Sequence, residues 1–193
     1  RDSMNPDSTR AFVSYTSYNE PRTIYECDLV EGRLGAIWAR PDVPVDPESV
    51  VVRRMHATSK DGTKVPMFVV HRKDLDTSRP HPALLYGYGG FNISMTPRFI
   101  STNFPFYDAG GIYVVANLRG GGEFGEAWHR AGMLESKQNV YDDLYACAET
   151  LIASGLTSPA QLAVMGGSNG GLLTGVAVTQ RPELWSAAIS AVP

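Results

Sequence analysis

In the stretch Gly166-Gly167-Ser168-Asn169-Gly170, a serine has glycines two positions before and two positions after it. It lies between the apolar run Leu162 to Met165 and the helix-like run Leu172 to Gln180. This is the pattern of a nucleophile elbow, a sharp strand-to-helix turn that holds a serine in a strained conformation clear of a sheet edge. The flanking residues must be small because the segments entering and leaving the turn pass close together. At such a helix N-terminus, free amides and the helix dipole favour developing negative charge. Ser168 is therefore the candidate nucleophile. In the competing reading the turn is structural and the serine is an ordinary helix cap. Arg181-Pro182 ends the helix where the pre-proline restriction requires.

Two more glycine clusters follow apolar runs, which places them at strand carboxyl ends, where open α/β sheets bind ligands. In Tyr86-Gly87-Tyr88-Gly89-Gly90-Phe91-Asn92, Tyr88 has a phenol able to donate to an oxyanion, and Phe91 a ring able to wall an apolar pocket. Alternatively, both rings pack beneath the loop. The second cluster, Arg119 to Gly125, matches G-x-G-x-x-G at Gly120, Gly122 and Gly125, with Asp142 and Asp143 about twenty residues on. A dinucleotide-binding domain is thus a rival reading. Its acid should end a second strand, however, and these acids fall in the first turn of an amphipathic helix, so a floor for the site or a structural role is expected.

All four histidines, His56, His71, His81 and His129, precede Ser168, and Glu183 is the one acid after it. A hydrolase elbow takes its acid and then its histidine from later in the chain. None of the four is expected to serve as base, and His129 reads as a surface or helix residue. Cys27 and Cys147 fit no metal or redox spacing and are expected to be free thiols in apolar surroundings. No cofactor or metal site is legible.

The elements that must carry these loops divide the chain. Residues 1–40 read as an antiparallel β meander: Arg10 to Tyr18, Thr23 to Leu29 and Arg33 to Trp38. Turns fall at Asn19-Glu20-Pro21-Arg22 and Glu31-Gly32. Tyr25, Cys27 and Leu29 alternate with Glu26 and Asp28, as in a half-exposed strand. Residues 41–49 read as a linker, with Pro41, Pro44 and Pro47 among acids. Residues 50–193 open with a hairpin around Asp61-Gly62. Apolar runs follow at Ala83 to Tyr86, Ile112 to Asn117, Leu162 to Met165 and Ala187 to Val192, of the kind found in parallel strands buried on both faces. A helix over Asn139 to Ser154 presents Val140, Leu144, Cys147, Ala148, Leu151 and Ile152 on one face. The expected class is α/β with a parallel sheet. With 193 residues and a net charge of −3, the chain shows no basic footprint for nucleic acid. It also has no apolar run long enough to span a bilayer.

Together these motifs resemble the prolyl oligopeptidases, serine peptidases of the α/β-hydrolase clan. The match rests on Tyr86 to Asn92, Asn117 to Gly125 and Gly166 to Leu173, with Lys137-Gln138-Asn139 and Gln180-Arg181-Pro182 fitting as well. The resemblance implies a partial α/β-hydrolase domain preceded by the last part of a β-propeller. It further implies that Ser168 is the nucleophile, that the Tyr88 hydroxyl and the Asn169 N–H form the oxyanion hole, and that Phe91 belongs to a proline-accepting pocket. Short peptides cut after proline are the implied partners. No cofactor, nucleic acid or membrane is expected, and the expected location is cytoplasmic. The family's aspartate and histidine fall beyond Pro193, so the chain is expected to be one piece of a longer enzyme, with the remainder of its own chain as partner. The alternative is a non-catalytic interaction domain that keeps the elbow as a fold feature.

Overall fold

In the computed structural model the described residues are 7–193, and they form two compact units. The first takes the chain up to Val50 together with Pro97–Phe104; the second takes Val51–Thr96 and Pro105–Pro193. The excursion at 97–104 thus groups with the first unit, although sequence patterning gives no sign of it.

In the first unit, β1 (Arg10–Ser17), β2 (Glu20–Asp28) and β3 (Arg33–Ala39) form an antiparallel sheet in that order. The first turn is tighter than the Asn19 to Arg22 expectation, because Ser17 already pairs with Glu20. Pro21 therefore lies inside the central strand. It is tolerated there because pairing with β3 begins only at Ile24 and the β1 register shifts between Tyr15 and Ser17, leaving Pro21 outside both ladders. The alternation along β2 does not translate into one buried face: residues Ile24 to Asp28 are all half-buried, and Trp38 in β3 is 62% exposed. Asp46 caps the short 3-10 turn Pro47–Ser49 by accepting from the Glu48 N–H at 3.0 Å.

The second unit is built on a six-stranded sheet. Its strands are β4 (Val50–Thr58), β5 (Lys64–Arg72), β6 (Ala83–Tyr86), β7 (Ile112–Ala116), β8 (Leu162–Gly167) and β9 (Ala187–Ala191), arranged β4-β5-β7-β6-β8-β9. The β5 strand runs antiparallel to β7, and β7, β6, β8 and β9 are mutually parallel. Among the helices, α1 (Phe104–Asp108) and α2 (Glu126–Arg130) are single turns, whereas α3 (Gln138–Ala153) and α4 (Asn169–Gln180) are long enough to cover the sheet. Val140, Leu144, Cys147, Ala148 and Leu151 of α3 are completely buried against Val114, Leu85 and Val164 of the sheet core. The apolar stripe read from the sequence is thus the core face, and truncating Leu144 there to alanine is expected to cost about 2–5 kcal/mol.

Two expectations are corrected. Asp142 and Asp143 lie in the second turn of α3, since the helix starts at Gln138. And β9 is exposed along its whole length, because it is the edge of the described sheet and pairs only with β8.

Candidate active site

Parallel pairing decides which loops meet. Tyr86 pairs with Met165 and Val115 with Tyr86, so β6, β7 and β8 end side by side and release their glycine loops on one edge. The Gly87 N–H donates to the Met165 carbonyl at 3.2 Å, which continues the contact past the strands.

Ser168 stands between β8 and α4 with φ 54° and ψ −120°, a conformation that β-carbon sterics disfavour for any L-residue. A side chain on Gly166 would collide with the backbone of Gly170, and one on Gly170 would come within 2.6 Å of the Gly87 carbonyl. The two glycines are there so that strand, helix and neighbouring loop can pass each other. Ser168 occupies the cap position of α4, and its main-chain carbonyl receives the N–H groups of Gly171 and Leu172 at 2.8 and 3.1 Å. Its hydroxyl makes no cap hydrogen bond and is exposed. The ordinary-cap reading therefore fails at the atom that defines it. The Ser168 N–H donates to Ala191 at 2.9 Å, tying the turn to the end of β9.

Asn169 is the first residue of α4, so its N–H has no partner within the helix. Its side chain spans to the neighbouring loop: Nδ2 donates to the Tyr88 carbonyl at 2.5 Å, while Oδ1 accepts from Lys137 Nζ at 3.3 Å. Tyr88 is half-buried, and Phe91 is 74% exposed at φ 53°, followed by Asn92 at φ 57°. Two successive left-handed non-glycine residues hold the Phe91 ring out of the loop rather than under it. Phe91 lines a cavity of about 480 Å³ with Gly90, His129, Leu134, Lys137 and Asn169.

The loop after β7 is fixed from below. The Arg119 side chain is 5% exposed and that of Asp143 not at all. The guanidinium bonds Asp143 at 2.6 Å and also pairs with Asp61, while the Ser59 hydroxyl donates to Asp143 at 2.6 Å. Burial opposes the Arg119 charge, but its two carboxylate partners outweigh that and hold its pKa up; hydrogen bonding by Arg119 pulls Asp61 well below the usual carboxylate range. Asp143, one of the two acids of the dinucleotide reading, is thus consumed in anchoring the loop's own arginine. Higher in the loop, Gly120 donates to the Trp128 carbonyl at 3.0 Å, and its own carbonyl accepts from the Asn92 N–H and from His129 Nδ1 at 2.8 Å.

No described histidine is hydrogen-bonded to Ser168. His71 and His81 bond main-chain carbonyls in buried positions, His56 is exposed on β4, and His129 bonds Gly120. Glu183 pairs with Arg181. Both cysteines are free; Cys147 is buried, and that burial pushes its thiol far above the usual range, which suits a core residue rather than a nucleophile. Cys27 is only half-buried. Sequence reasoning missed Lys137 and the cavity position of His129. Lys137 was visible only as part of a motif, because nothing in spacing tells that its amine reaches two other loops.

A mixed sheet of this strand order, with a strained serine between the fifth strand and its following helix, defines an α/β-hydrolase domain. The Prolyl oligopeptidase family matches residues 97–193, about half of the chain, and the chain belongs to that family. It is similar to a prolyl endopeptidase of Dictyostelium discoideum, 48% identical over 185 residues that cover 94% of this chain and 24% of that protein. Among solved structures, a prolyl endopeptidase superposes with a TM-score of 0.91 at 54% identity, covering 96% of this chain and 27% of that one. Oligopeptidase B from Trypanosoma brucei with covalently bound antipain gives 0.88 at 40% identity, covering 94% and 26%. The chain spans about a quarter of the length of the curated relatives it matches.

Proposed function

We propose that the full protein containing this segment is a serine oligopeptidase that cleaves short peptides after proline. The observation that carries the reading is Ser168 itself, held at φ 54° with an exposed hydroxyl that caps nothing. Its oxygen attacks the scissile carbonyl carbon while a base takes the hydroxyl proton. The Asn169 N–H and the Tyr88 phenol receive the oxyanion. The tetrahedral adduct collapses by breaking the C–N bond, the proton passes to the leaving amine, and water then hydrolyses the acyl-enzyme. Phe91 walls the pocket for the proline ring, and the base and its orienting acid come from sequence that this segment does not span. Similarity to prolyl endopeptidases at 48% and 54% identity supports proline before the cleaved bond.

The test is to treat the full-length protein with a fluorophosphonate and compare chromogenic peptides ending in proline and in arginine. Labelling confined to Ser168, lost in Ser168→Ala, with preference for proline, is the expected result. An unlabelled, inactive full-length protein would overturn the peptidase reading and favour the non-catalytic interaction domain instead.

A further inference from the structure

Lys137 is badly placed for its own helix. It sits at the N-terminal end of α3, where the helix dipole opposes a cation, and burial alone drives its pKa down. No carboxylate pairs with it among the described residues; the amine instead lies over the face of the Tyr141 ring, 5.8 Å from its centroid. Two penalties without a counter-ion ask for a compensating role, and the hydrogen bonds of the amine supply it. Nζ donates to the Gly89 carbonyl at 2.9 Å and to Asn169 Oδ1 at 3.3 Å.

The consequence for Asn169 follows from its chemistry. An ammonium has only donors, so the Asn169 atom facing it must be the oxygen, and the amide nitrogen is thereby turned towards Tyr88, where it donates at 2.5 Å. Three segments from distant parts of the chain, the loop after β6, the entry to α3 and the start of α4, are joined through one amine. One end is Asn169, whose N–H the proposed mechanism uses; the other is Gly89, the neighbour of Tyr88, whose phenol it uses.

We propose that Lys137 is a positioning residue for the oxyanion hole: it locks the Tyr88–Gly89 loop to Asn169 and so sets the spacing between the two oxyanion donors. This rests on the reading of Ser168 as nucleophile. Lys137 touches neither the reacting atoms nor the leaving group; it acts through Asn169 and Gly89. Because misplacement of donors is felt where charge develops, its loss falls on the transition state rather than on substrate binding.

The test uses the full-length enzyme with a proline-ended chromogenic peptide and a proline aldehyde, which forms a hemiacetal with the serine and so presents an oxyanion-like oxygen. Lys137→Met should lower kcat by up to about 100-fold, the cost of displacing catalytic groups by about 1 Å, with KM within about twofold. It should weaken the aldehyde by a similar factor while leaving a proline-ended product peptide bound as before. Lys137→Arg, which keeps donors for both acceptors, should recover much of the loss. In an Asn169→Ala background, Lys137→Met should add little. Unchanged kcat, a rise in KM alone, or full additivity with Asn169→Ala would overturn the proposal. If Lys137→Met folds poorly, Lys137→Gln decides, its side chain being uncharged and one bond shorter: lowered kcat and weakened aldehyde binding at near-constant KM support the proposal, and wild-type values of both overturn it. Fluorophosphonate labelling of the wild type is run first, so that failure of the nucleophile assignment shows before any Lys137 variant is scored.

Discussion

Asn169 and Tyr88 are 81 positions apart in the chain, yet the side-chain amide of the first donates to the main-chain carbonyl of the second at 2.5 Å. That bond joins the turn carrying Ser168 to the loop carrying the phenol. It exists because β6 and β8 are parallel neighbours whose ends coincide. The same side chain is held from its other end by Lys137.

Tyr88→Phe removes the phenolic donor and leaves the ring. Losing an oxyanion donor typically raises the barrier by about 2.7–4 kcal/mol. Steady-state kinetics of the full-length enzyme should show kcat reduced about 100-fold or more with KM nearly constant. A change confined to KM would make Tyr88 a pocket wall.

Gly166→Ala puts a methyl group against the Gly170 backbone, including its Cα at 2.7 Å. Neither segment can yield as a flexible side chain would, so Ser168 must shift. Overpacking of this kind costs about 1–3 kcal/mol, and a displacement of roughly 1 Å is worth about 100-fold in rate. Fluorophosphonate labelling should slow far more than the fall in thermal midpoint alone accounts for.

Asp143→Ala leaves the buried Arg119 guanidinium with Asp61 as its one carboxylate, and the Asp61 side chain is 47% exposed. Breaking a buried pair from one side costs about 3–5 kcal/mol. Asp61→Ala should cost no more than about 1 kcal/mol, because water screens the partner it removes. Denaturant midpoints of the two variants, measured side by side, should differ in that order.

Tyr145 is 6% exposed and donates its hydroxyl proton to Gln180 at 3.0 Å. Burial, then the charge of Asp142, pushes its pKa up to about 12 from an ordinary 10.0. The fold prefers the protonated phenol. Its stabilisation is therefore full below about pH 10 and is lost as pH rises towards about 12. Thermal midpoints of wild type and Tyr145→Phe should run parallel up to about pH 9, after which the wild type should fall faster. Parallel curves up to pH 12 would contradict the assignment.

What the sequence by itself determined is local or periodic. The strand Ala83–Tyr86, the α3 stripe from Val140 to Leu151 and the elbow at Ser168 were legible because apolar spacing and glycine placement act over a few residues. Charged partners were not legible. Arg119, Asp143, Asp61 and Ser59 form one cluster from three segments, buried except for Asp61, and no spacing encodes which carboxylate an arginine will find. The start of β2 was misjudged because Pro21 signals a turn locally, and only the bulged register with β1 shows why a strand can hold it. Tertiary structure alone decided that the Ser168 hydroxyl is free rather than capping, that the Phe91 ring points outward, and that Lys137 reaches Asn169. Each of these depends on which strand ends lie side by side, and that follows from the pairing order of the whole sheet, β4-β5-β7-β6-β8-β9, rather than from any one stretch of chain.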